Sequence, residues 1–67
     1  MTQKRLGAVI RRLRKAQDLT QERLAVRTGI AQGHISHLER GTRRAASVAT
    51  LKKLARALGV PVAELLE

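Results

Sequence analysis

Every aliphatic run in this sequence is spaced for a helix, and none alternates as a strand would. Leu6, Val9, Ile10 and Leu13 fall at three- and four-residue intervals with Arg11 and Arg12 between them. Leu24 and Ala25, Ile35 and Leu38, and then Val48, Leu51, Leu54, Ala55 and Leu58 repeat the pattern. A period near 3.6 buries one face of a helix, whereas a strand needs a period of two, so the chain is expected to be all-α. What those faces pack into is narrowly constrained. The 67 residues contain no aromatic residue and no cysteine, so the core must be aliphatic and neither a disulfide nor a thiolate metal site can brace it. At this length one domain, residues 1–67, is expected, without room for a large catalytic cleft.

Turn and cap signals cut the pattern into five helices. The first runs from about Gln3 to Gln17 and ends at Asp18 and Leu19. Thr20 can cap a second, which reaches about Thr28 with Glu22 at the positive end of its dipole and Gly29 as its stop. A third fits Gln32 to about Glu39, with Ile30 ahead of it as a staple and Gly41 behind it. Its cap is poor, because Ala31 stands where a side-chain acceptor belongs, at a cost of roughly 1 kcal/mol. A polar, basic loop from Thr42 to Ala46 leads to Ser47, the expected cap of a fourth helix over about Val48–Leu58. Gly59 and Pro61 separate that helix from a last turn ending in Leu65 and Leu66.

Fourteen Lys and Arg against five Asp and Glu give a net charge of +9. Such an excess implies a polyanionic partner, although basic surface can also serve solubility alone. The cations are spread over several segments and do not line one long amphipathic helix, which disfavours a membrane surface. No apolar run is long enough to cross a bilayer, and the N-terminus lacks the apolar stretch of a signal peptide, so a cytoplasmic, nucleoid-associated protein is expected.

The charge and the helices meet in the segment Thr20–Gly41, TQERLAVRTGIAQGHISHLERG, two short helices joined by a tight turn with a glycine at its start. A helix-turn-helix requires this arrangement: Ala25 is small enough for close approach, Gly29 can take a left-handed backbone, and Ile30, Ile35 and Leu38 anchor the second helix. The outward face of that helix is then Gln32, Gly33, Ser36 and His37, with His34 at its edge. These short polar groups can enter a groove about 12 Å wide and touch base edges.

On those residues the chain resembles the Cro/CI-type, or XRE-like, helix-turn-helix domain of lambdoid phage repressors. The likeness extends from Leu6 to Leu66 and rests on LGAVIRRLR, LTQERLA, HISHLERG and LKKLARALGVPVAELL. It implies a compact five-helix DNA-binding domain and a transcriptional regulator, in particular a repressor that binds a palindromic operator as a homodimer. It also implies that Gln21 holds a backbone phosphate and supports Gln32, and that Arg14 and Glu39 form a structural ion pair tying the first helix to the third. Two departures stand out: Ala31 replaces the usual polar cap, and Gly33 replaces a side chain that commonly reads a base.

The expected base contacts are therefore Gln32, Gly33, Ser36 and His37. Gln21, His34, Arg40, Arg43 and Arg44 are expected on phosphates. Val60, Val62, Leu65 and Leu66 leave more apolar surface than one terminal turn can bury and are expected at a dimer interface. His34 and His37 have a metal-ligand spacing, but no nearby Cys or Asp completes a site, so no metal or cofactor is expected, nor a small-molecule ligand. The acids Asp18, Glu22, Glu39, Glu64 and Glu67 form no carboxylate pair suited to catalysis, so an enzyme is not expected. A protein-interaction or RNA-associated adaptor of the same fold is the alternative that the charge and the two glutamines oppose.

Overall fold

The computed structural model describes residues 3–42 and 47–66, which fold into five helices. In order they are α1 (Gln3–Ala16), α2 (Gln21–Thr28), α3 (Gln32–Arg40), α4 (Val48–Leu58) and α5 (Val62–Leu65). The caps act as their chemistry dictates. The hydroxyl of Thr20 accepts from the Arg23 amide and that of Ser47 from the Thr50 amide, while Ala31 gives α3 no side-chain cap. At the other end of α1, Asp18 adopts a left-handed backbone with φ 55°. This conformation lets the Leu19 amide donate to the Arg14 carbonyl (3.1 Å) and the Asp18 amide to the Lys15 carbonyl (3.0 Å), closing the helix with a Schellman pair.

Each helix gives the core at least one side chain with almost no accessible surface: Ile10 from α1, Leu24 from α2, Ile35 from α3, Leu54 and Leu58 from α4, and Leu65 from α5. Burying an aliphatic side chain of this size stabilises the fold by about 1.5–3 kcal/mol, so the five short helices hold together only as a set. Leu19 and Ile30, in the connections on either side of α2, complete the cluster.

Two packing details position the functional surface. Along the α1–α3 contact, Gly7 lies directly against the backbone of α3. A Cβ there would sit 2.6 Å from the Glu39 carbonyl oxygen and closer still to that of Leu38, so only glycine permits this approach. In the turn between α2 and α3, Gly29 takes φ 73°, and the buried Thr28 hydroxyl donates to the Leu24 carbonyl (2.8 Å) while accepting from the Ile30 amide (3.1 Å). One side chain thus satisfies backbone groups on both sides of the bend and fixes the angle at which α3 leaves α2.

The structure corrects two sequence expectations. Leu65 is fully buried within this chain and offers nothing to a partner, because the short α5 folds back over α1 and α4. Conversely, Val48 is in phase with Leu51 yet 67% exposed.

Candidate nucleic-acid interface

The start of α2 and the start of α3 share one open cleft of about 610 Å³, lined by Asp18, Thr20, Gln21, Glu22, Arg23 and Gln32 among others. The two glutamines singled out by sequence are therefore brought together. Gln32 is exposed, and among the described residues its amide has no hydrogen-bond partner, so both its donor and its acceptor are free for a ligand. The carboxylates of Asp18 and Glu22 line the cleft together with the guanidinium groups of Arg14 and Arg23.

Beneath the cleft lies the only buried cation among the described residues. Arg14 donates from Nε to Oε2 of Glu39 (2.7 Å) and from Nη2 to Oε1 (3.0 Å), a bidentate pair. Its remaining nitrogen, Nη1, donates to the carbonyl oxygen of Leu19 at 2.7 Å. The Arg14 and Glu39 side chains are 10% and 4% exposed, so the pair expected from sequence forms and is shielded from solvent. The link to Leu19 had no sequence signal, since a backbone acceptor carries no residue identity.

Gln21 departs from expectation. Its Nε2 donates to Oε1 of Glu39 at 3.2 Å, and among the described residues no hydrogen bond joins it to Gln32. Sequence placed both partners without pairing them, because eighteen positions separate them and only the α2–α3 turn closes that gap.

Along the outer face of α3, Gly33 is exposed, with open space where a Cβ would project, and Ser36 is half-buried. His37 is exposed, and its Nδ1 lies 3.1 Å from the Thr42 hydroxyl, tying the ring back toward the turn at Gly41. His34 is half-buried and Arg40 exposed. Arg43 and Arg44, the other expected phosphate contacts, lie outside the described residues. Val60 and Val62 are half-buried against the core, and Leu66 is 49% exposed. Apart from Arg14, the cations of the described helices stand on the surface: Lys4, Arg5, Arg11, Arg12 and Lys15 on α1, Arg23 and Arg27 on α2, Arg40 on α3, and Lys52, Lys53 and Arg56 on α4. No described helix is long and apolar enough to cross a membrane.

Two short helices set by a fixed turn, with the second presenting a polar face amid surface cations, define a helix-turn-helix DNA-binding domain. Comparison with known proteins agrees. Residues 10–65 match the family model described as Helix-turn-helix. The chain is 48% identical over 62 residues to the HTH-type transcriptional regulator y4dJ of Sinorhizobium fredii, covering 92% of this chain and 79% of that one. It is 42% identical over 55 residues to the HTH-type transcriptional repressor RghR of Bacillus subtilis, covering 82% of this chain but 41% of RghR. In structure it superposes on the restriction-modification controller protein C.AhdI of Aeromonas hydrophila with a TM-score of 0.90, 36% identity and 94% of each chain covered. The chain belongs to the Cro/CI-type, XRE-like helix-turn-helix family of DNA-binding transcriptional regulators.

Proposed function

We propose that this chain is a sequence-specific transcriptional repressor that binds a palindromic operator in the bacterial nucleoid as a homodimer. The observation that carries the proposal is the exposed amide of Gln32 at the start of α3, without a hydrogen-bond partner among the described residues and facing the same cleft as Gln21. A glutamine amide pairs bidentately with the N6 and N7 edge of adenine in the major groove, a contact worth about 1–3 kcal/mol of discrimination against a wrong base. Gly33, Ser36 and His37 complete the face turned to the bases, and Gln21, His34, Arg40, Arg43 and Arg44 hold phosphates around it. The identity to RghR supports the repressor role. Exposed Leu66, beside half-buried Val60 and Val62, supports a weak two-fold contact through the C-terminal turn. Such a dimer sets half-site centres roughly 34 Å apart, one turn of the duplex.

The test is footprinting on the protein's own promoter region, followed by binding isotherms for the wild type and Gln32→Ala on the protected and scrambled duplexes. Gln32→Ala is expected to lose about 1–3 kcal/mol on the protected site, little on the scrambled one, and to relax preference at one base position. An equal loss on both duplexes removes α3 as the reading element.

A further inference from the structure

We infer that Glu39 is a positioning residue of the DNA interface, orienting the Gln21 amide for its phosphate contact as well as neutralising Arg14. The inference rests on the proposed role of Gln21. The geometry is specific: Oε1 of Glu39 receives both Nη2 of Arg14 at 3.0 Å and Nε2 of Gln21 at 3.2 Å, while Oε2 receives Nε of Arg14. The Glu39 side chain, 4% exposed, cannot itself reach a ligand, so whatever it does at the surface passes through Gln21.

An ionised carboxylate only accepts hydrogen bonds, so it fixes which end of the Gln21 amide turns inward. One N–H is held by Glu39. The second is the donor left for a phosphate oxygen, which also only accepts. The amide oxygen is thereby kept from the inner position, and the side chain is held before DNA arrives, which reduces the freedom lost on binding. Through Glu39, a cation on α1 and a carboxylate on α3 set the side chain that opens α2.

The sign of one substitution separates this role from a purely structural or electrostatic one. Glu39→Gln removes one of the five acids and raises the net charge from +9 to +10, which by long-range electrostatic attraction alone tightens binding to any duplex. Positioning requires the opposite. The single oxygen of a glutamine is claimed by the Arg14 donors, its NH2 then faces the Gln21 amide, and the orienting bond is lost.

The experiment measures affinity of wild type, Gln21→Ala, Glu39→Gln and the double variant for a duplex enriched from a random-sequence pool by the wild-type protein, and for a scrambled duplex. Circular dichroism confirms folding at the working temperature. Each single variant is expected to weaken binding to both duplexes about tenfold, the worth of one hydrogen bond, and the double variant to be no weaker than Gln21→Ala. In the free protein, the side-chain amide resonances of Gln21 are expected to be dispersed in the wild type and to collapse toward random-coil positions in Glu39→Gln. If Glu39→Gln does not stay folded, Glu39→Asp, which keeps the charge and shortens the reach to Gln21, carries the same expectation without the electrostatic gain. Unchanged or tighter binding by the Glu39 variant, or losses that multiply in the double variant, overturn the positioning role while leaving the Gln21 contact standing. Unchanged binding by Gln21→Ala overturns that contact and the inference with it.

Discussion

Replacing Glu39 by alanine leaves the Arg14 guanidinium shielded from water with only the Leu19 carbonyl as partner. Two charge-assisted hydrogen bonds to Arg14, at 2.7 and 3.0 Å, disappear together with the bond from Gln21. A solvent-exposed pair is worth about 0–1 kcal/mol, but removing one partner of a buried pair costs about 3–5 kcal/mol, because the remaining charge stays desolvated and uncompensated. At side-chain exposures of 10% and 4% this pair belongs to the second case. The total stability of a small domain is about 5–15 kcal/mol, so the variant should lie near the limit of folding. For a chain of this size 1 kcal/mol moves Tm by about 4–8 °C, so a loss of 3 kcal/mol lowers it by roughly 12–24 °C. With no Trp or Tyr to report by fluorescence, the assay is thermal and urea unfolding followed by far-ultraviolet circular dichroism. A double variant sharpens it: Arg14→Met with Glu39→Ala removes the stranded charge and is expected to be more stable than Glu39→Ala alone. A loss under about 1 kcal/mol for Glu39→Ala, or a double variant less stable than the single, refutes the assignment of the pair as a buried structural tie.

Other consequences follow from the packing and the surface. Gly7→Ala drives a methyl into the backbone carbonyls of Leu38 and Glu39, which cannot rotate away, so α1 and α3 must separate at a cost of about 1–3 kcal/mol or more in urea unfolding. Thr28→Val keeps the shape but strands the buried Ile30 amide and removes the second hydrogen bond at the Leu24 carbonyl, for an expected loss of about 1–3 kcal/mol by the same measurement. Leu66→Glu, at an exposed position, should leave thermal stability of the monomer within about 0.5 kcal/mol while abolishing self-association in sedimentation at micromolar concentration. Arg43→Ala and Arg44→Ala should each weaken specific and scrambled duplexes alike and reduce the salt slope of binding by roughly 1.

The sequence by itself determined the helices, because the signals that start and stop a helix are local. Thr20 and Ser47 cap as their hydroxyls require, and the expected bounds of α2 and α4 are those observed, while α1 ends one residue earlier, at Ala16, and α3 one later, at Arg40. The absence of a cap at Ala31 is equally plain in the sequence, and the resemblance to the family implies the Arg14–Glu39 pair. Tertiary structure decided what depends on residues distant in the chain. Periodicity puts Val48 on the apolar stripe and leaves Leu65 as terminal surface, but burial depends on which helix lies over each end, and the two are exchanged in the fold. Gly7 has an ordinary place in a helical pattern, and its necessity appears only when the carbonyls of α3 come against it. The cleft followed the same division. Gln21 and Gln32 could be chosen from sequence by residue type, but the carboxylate that holds Gln21 lies on another helix, and only the packing of α1, α2 and α3 brings them together.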